Sequence, residues 1–268
     1  MTRPTRLKFN GILGTLVFCL LLASCDKDNT DPGIIVDIDP TFQIQMIENL
    51  EGAPGSLEFI VSTLEEKECL NFELTYSLNQ TTGGFGISLD QLEEPKDCIT
   101  GTTFVTETIP LEPLQDRVFT AEINLKNTVK NQGALVVTEG YYEMQLDSYN
   151  GILFQTKKLN KVPNSALWGS ISFDSEDLEP IAQQFISELE ILTESRAMAV
   201  GNYGHFNIDS QGLIWFSGSS EGNNPVLDFI YHYESSEVQP LIDLISSYRM
   251  QYSPNLDIKM YNGRGIVF

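Results

Sequence analysis

Between residues 42 and 162 apolar and polar side chains alternate in short runs, broken by turn-forming residues roughly every 8–12 positions. "LNFELTYSL" (70–78) is the cleanest run: Leu70, Phe72, Leu74, Tyr76 and Leu78 fall on one side, Asn71, Glu73, Thr75 and Ser77 on the other. A period of two is that of a half-buried β-strand. The same pattern recurs in "LEFIVSTL" (57–64), "GFGISLD" (84–90), "TTFVTETI" (102–109), "RVFTAEINL" (117–125), "GYYEMQLDS" (140–148) and "GILFQTKK" (151–158). The breaks "EGAPGS", "TTGG" and "NQG" carry turn chemistry. Asn150-Gly151 predicts a hairpin between the last two strands, because both residues tolerate the positive φ of a type I′ turn. Strands of this length and spacing predict an antiparallel β-sandwich over residues 41–162.

Past "KVPNSALW" the period changes, which predicts an α+β domain over residues 163–268. A strand "ALWGSISF" (166–173) runs into a segment where Leu178, Ala182, Phe185, Leu189 and Leu192 recur at helical spacing. Asp174 or Ser175 caps this helix and Pro180 lies in its first turn. "GHFNID" and "GLIWFSG" follow as two strands about a short "SQ" turn. The order then repeats: strand "VLDFIYHY" (226–233), helix "SSEVQPLIDLISSYRMQY" (235–252), strands "LDIKMY" (256–261) and "GIVF" (265–268). "SEDLEPIAQQFI" and "SSEVQPLIDLIS" echo each other at an offset of 60, so a duplicated βαββ domain is expected, with repeats at about 166–217 and 226–268 and two helices on one antiparallel sheet.

The N-terminus gives an address. Residues 1–24 hold Arg3, Arg6, Lys8 and a short uncharged apolar run "GILGTLVFCLLLA". Thirteen or so apolar residues span roughly 20 Å, too short for the ~30 Å hydrocarbon core, so the segment reads as a signal peptide. "LASC" (22–25) resembles the lipobox of bacterial lipoproteins, and "DKDNTD" after it is similar to the acidic export signals of surface lipoproteins of the Bacteroidota type. The resemblance implies cleavage before Cys25 and a diacylglycerol on its sulfur. Residues 25–40 then form a flexible tether that holds the fold at the outer membrane, exposed at the cell surface or facing the periplasm. With Cys19 removed and Cys25 lipidated, Cys69 and Cys98 remain, and an oxidising compartment predicts a disulfide between them.

The sandwich region resembles an immunoglobulin-like or fibronectin-type module, with "EGYYEMQL" as its penultimate strand and Tyr141 or Tyr142 as corner tyrosine. It departs from antibody-type domains, since neither Trp168 nor Trp215 lies between the two cysteines. Modules of this kind serve as spacers or binding platforms, and the fold does not choose between them.

The formal charge is −21, and because residues 1–24 contain three of the 16 basic residues and none of the 37 acidic ones, the remainder carries −24. A surface of that sign repels phosphate backbones, so nucleic acid is not an expected partner. Gly218-Ser219-Ser220-Glu221-Gly222 matches the G-x-S-x-G nucleophile elbow, yet "NNPV" leads into a strand where the elbow needs a helix. His205 and His232 are the chain's two histidines; with Asp209 they have the ligand types of a metal site but not the spacing, so no metal and no cofactor are expected. Aromatic residues crowd the second half, and Tyr203, His205, Trp215, Tyr231 and His232 are the candidate ligand-binding set, as a stacking platform or as packed core. The chain is therefore expected to be a membrane-anchored lipoprotein that binds a glycan or protein partner, or scaffolds one, without catalysis. Two alternatives stand beside it: a hydrolase with a cleft around His205, Trp215 and His232, and a structural subunit of a surface assembly.

Overall fold

The computed structural model describes residues 38–51, 55–126, 128–195, 197–216 and 224–268. Cys25, the signal and tether segments up to residue 37 and the 218–222 elbow lie outside the described residues. Among the described residues the protein is largely β, with two helices and several sheets.

Among the described residues before 163 there are twelve strands: β1 (Phe42–Glu48), β2 (Leu57–Thr63), β3 (Lys67–Cys69), β4 (Glu73–Thr81), β5 (Gly84–Glu93), β6 (Thr100–Thr103), β7 (Thr106–Pro110), β8 (Arg117–Leu125), β9 (Val129–Val137), β10 (Tyr141–Leu146), β11 (Ile152–Phe154) and β12 (Lys158–Asn160). They form a four-stranded sheet, β11-β1-β2-β7, and a six-stranded sheet, β12-β10-β9-β8-β5-β4. The alternating apolar residues of both sheets, among them Ile44, Phe59, Ile87, Ile123 and Tyr142, meet in one buried core. A separate β3–β6 pair carries the expected disulfide, Cys69 to Cys98, with Cα atoms 5.3 Å apart.

Three local expectations are corrected. "NQG" is not a turn: Asn131, Gln132 and Gly133 run through the middle of β9. Gly133 is there for close approach, since a Cβ would sit 2.1 Å from the Gln145 carbonyl oxygen of the neighbouring strand. Gly133→Ala is expected to cost about 1–3 kcal/mol in urea unfolding; an unchanged midpoint would mean that β9 moves off β10 freely. The Asn150-Gly151 hairpin does not form either. Gly151 has φ +72° while Asn150 is not in the left-handed region, and β11 pairs in parallel with β1, not with β10. The turn carries the chain from one sheet to the other. Finally, the strand expected at 70–78 begins at Glu73, leaving Leu70 half exposed, because the disulfide closes the β3–β6 pair just before it.

The second half starts with β13 (Ala166–Phe173), followed by a 3₁₀ turn at Glu176–Leu178 and helix α1 (Glu179–Leu192). Ser175 accepts from the Asp177 N–H, Pro180 occupies the first turn, and Ala182, Phe185 and Leu189 are buried. Next come β14 (Gly201–Asn202), β15 (Phe206–Ile208), β16 (Ile214–Phe216), β17 (Val226–His232), helix α2 (Gln239–Tyr252) and β18 (Leu256–Asn262). The helices are each 14 residues long and start 60 residues apart, at Glu179 and Gln239. Both cover one face of the sheet β17-β13-β18, where Phe185 meets Phe229 and Tyr248. The expected single sheet is instead two: β14, β15 and β16 form their own sheet, and the 265–268 segment contributes one bridge, Tyr261 to Val267. The smaller sheet supplies Phe206 and Ile208 against Ala166 and Trp168, which explains why β13 and β17 are apolar on both faces.

Candidate functional site

β1 writes its register into its burial: Phe42, Ile44 and Met46 point into the core, and the same row ends on Glu48, a carboxylate 8% exposed. Burial of this kind requires partners. Glu48 Oε2 accepts from the Val162 backbone N–H at 2.9 Å and Oε1 from the Tyr142 hydroxyl at 3.2 Å. Its carbonyl oxygen is 2.9 Å from His205 Nε2. A carbonyl only accepts, so the proton of neutral His205 is on Nε2. Burial raises the Glu48 pKa, an effect opposed by the Val162 and Tyr142 hydrogen bonds and by Lys161. Burial also lowers the His205 pKa, against the Glu48 carbonyl and the Glu58 charge. Lys161 itself pairs with Asp116 at 3.1 Å and lies 4.9 Å from the Tyr142 ring centroid. One residue thus ties β1 to β10, to the link before β13 and to the β14–β15 loop.

Beside this junction lies a cleft of about 370 Å³. Asn49 and Glu58 of the β1–β2 hairpin line it, together with Trp168, His205 and Tyr261. Trp168 stacks on Tyr261 with centroids 6.0 Å apart and planes 21° off parallel, and its centroid is 5.8 Å from that of His205. Glu58 Oε1 accepts from Asn49 Nδ2 at 2.7 Å, and Asn262 at the edge accepts from the N–H groups of Arg264 and Ile266.

Of the five residues singled out from sequence, only His205 lines this cleft. Tyr203 is buried, stacked on Phe206 at 4.8 Å, its hydroxyl donating to the Ala199 carbonyl. Trp215 is 60% exposed on β16, opposite Asn207. Tyr231 packs toward the helices, and its hydroxyl, 2.9 Å from a Glu190 oxygen, has its pKa pushed up to about 12 by burial and that carboxylate. His232, the next residue on β17, is buried with Nδ1 3.0 Å from Ser165 Oγ, and its backbone pairs with Glu194. Neighbours on a strand point to opposite faces, so Tyr231 and His232 do not converge. The Asp209 carboxylate accepts from the Gln211 and Leu213 N–H groups, serving a turn. Among the described residues no three His, Cys, Asp or Glu side chains gather as metal ligands do.

Glu48 and Trp168 were missed as site residues. The signal for Glu48 is in "FQIQMIE", where an acid falls in register with three core residues. Trp168 carries no such mark. The fold defines a class, a largely β protein with a helix-backed second sheet, and no more particular identity follows: the chain matches no family model, no curated protein and no solved structure.

Proposed function

We propose that the chain is a lipoprotein anchored through Cys25 to the outer membrane and exposed at the surface, where its folded part binds or scaffolds a glycan or protein partner without catalysis. In this reading residues 42–162 are an Ig-like sandwich, and the second half descends from a duplicated βαββ unit. Support for the duplication is the 60-residue offset kept by the helix starts and by the matching bonds upstream of them, from the Asp177 N–H to Ser175 Oγ and from the Glu237 N–H to Ser235 Oγ.

One observation carries the non-catalytic reading: the side chains that chemistry would use are occupied in holding the fold. His205 is spent on the Glu48 carbonyl, Glu48 on Val162 and Tyr142, and the cleft takes His205 without His232. General acid–base catalysis needs such a group within reach of substrate with its proton free to move. The Cys69–Cys98 disulfide suits an oxidising compartment. The anchor is tested by expressing the wild type and Cys25→Ser in a bacterium with lipoprotein-processing enzymes and feeding labelled palmitate. The wild type is expected in the membrane fraction carrying label, the variant unlabelled. Equal labelling of both, or of neither, would overturn the anchor.

A further inference from the structure

We propose that two copies of this chain associate through β4, pairing antiparallel about a two-fold axis at Leu78, so that their six-stranded sheets become continuous. The proposal goes beyond the proposed function and rests on neither the anchor nor a ligand. β4 is the edge of its sheet and bonds to β5 alone. The two-residue turn between Thr81 and Gly84 makes that pair a hydrogen-bonded one, so along β4 the N–H and C=O groups of Thr81, Asn79 and Ser77 face β5. The same groups of Gln80, Leu78 and Tyr76 face outward, and no described residue pairs with them. Native sheets guard such edges by shortness, charge, proline or cover. β11 and β12 are three residues long, β7 carries Glu107 and ends at Pro110, β17 is bridged by Glu194 and β18 by Val267. β4 runs nine residues, and its stretch 74–81, "LTYSLNQT", holds neither charge nor proline. Its bulge, between Thr75 and Tyr76, lies before the outward-facing groups.

Charge and register point to a second copy as the occupant. A chain of formal charge −21 repels its own copies, so self-association needs an uncharged contact, and β4 is one. The strand also complements itself. About an axis at Leu78, Leu78 meets the partner's Leu78 and Tyr76 meets the partner's Gln80, each pair exchanging both backbone bonds that the edge leaves open. Between them Ser77 meets the partner's Asn79, both exposed, which sets hydroxyl beside amide on the solvent side. Thr75 meets the partner's Thr81, a pair that stabilises antiparallel strands. Leu78 and Tyr76, half-buried against the sandwich core, extend that core across the axis. Glu73 falls opposite the partner's Gly83, so no like charges face each other. A two-fold contact uses the same strand on both sides and closes at two copies, which removes the open edge without starting a fibre.

Sedimentation velocity of the full chain in density-matched non-ionic detergent, from about 1 to 200 µM, is expected to show a monomer–dimer equilibrium, weak as befits a small interface. Ser77→Lys with Asn79→Lys sets ammonium against ammonium in each cross-strand pair and should raise the dimer Kd about tenfold or more. Ser77→Lys with Asn79→Glu sets opposite charges across the axis and should return Kd to within about threefold of the wild type. A monomer at every concentration, or association that the two variants leave unchanged or weaken alike, would overturn the proposal. Amide exchange on the wild type tests the same pairing without a substitution. Exchange at Tyr76, Leu78 and Gln80 should slow as concentration rises, with Ser77 and Asn79, already bonded to β5, responding less. Rates at the first three that ignore concentration would sink the idea even if a variant failed to fold.

Discussion

Replacing Cys69 and Cys98 by serine is expected to lower the unfolding free energy by about 3–4 kcal/mol and Tm by roughly 6–16 °C. The crosslink spans 29 positions, and opening it returns that loop's freedom to the unfolded chain. The folded side offers little to compensate. β3 and β6 stand apart from both large sheets, and their surroundings bury little: Leu70 is 50% exposed and Ile99 58%. Besides the short β3–β6 pairing there are the backbone bond from Leu70 to Ile99 and the Asn71 side chain, which donates to Asp97 and accepts from Ile99. Amide exchange near residues 67–71 and 97–103 should therefore accelerate before the rest of the fold loosens. Cys98 is exposed, so a mild reductant reaches it without unfolding. An unfolding midpoint indifferent to reductant would contradict this account of the loop.

Glu48→Ala is expected to cost about 2–4 kcal/mol, because it leaves two buried donors, the Val162 N–H and the Tyr142 hydroxyl, without their acceptor. Glu48→Gln should fall between, since its amide offers one oxygen and turns a donor toward a donor. A loss below about 0.5 kcal/mol in the alanine variant would show that the carboxylate is a passenger at the junction. The pH dependence follows from the same geometry. Burial depresses the His205 pKa, so the fold favours its neutral form; that stability is complete above the unfolded value of 6.5 and is lost as pH falls below it. Glu48 acts in the opposite sense: its raised pKa means that ionisation weakens the fold, and stability is recovered as pH falls toward 4.5. His205→Gln keeps a donor for the Glu48 carbonyl and removes only the first effect. Its urea midpoint should thus gain on that of the wild type as pH drops from 7 toward 5, and parallel curves would rule out His205 as the titrating group.

Where the fold was legible, the cause was local and periodic. β8 and β13 occupy Arg117–Leu125 and Ala166–Phe173 as the alternation predicts, and both helices carry their first-turn prolines, but the expected cap is displaced: Ser175 caps the 3₁₀ turn, and the helices start after Leu178 and Val238 with no side-chain cap bond. Where it was not, a distant partner decided. Gly133 has turn chemistry, but the close approach of Gln145 puts it inside a strand. "TTFVTETI" reads as one run, yet it breaks where Val105 exchanges hydrogen bonds with Thr63 and steps the chain from β6 to β7. The aromatic set is not brought together for the same reason: alternation along β17 sends Tyr231 to the helices and His232 to the other face. The cleft is formed by residues more than 100 positions apart, such as Glu58 and Trp168, and no window of sequence contains it.

The central claim, binding without chemistry, is tested most directly by thermal unfolding of segment 26–268 with glycans, small metabolites and organic cations, each recovered afterwards and weighed by mass spectrometry. A ligand at about 100 times its Kd adds roughly 2.7 kcal/mol, which is worth several degrees for a fold of this size. The predicted result is at least one reproducible rise in Tm with that ligand recovered unchanged. A ligand converted in proportion to the protein added, with conversion abolished by His205→Gln, would contradict it.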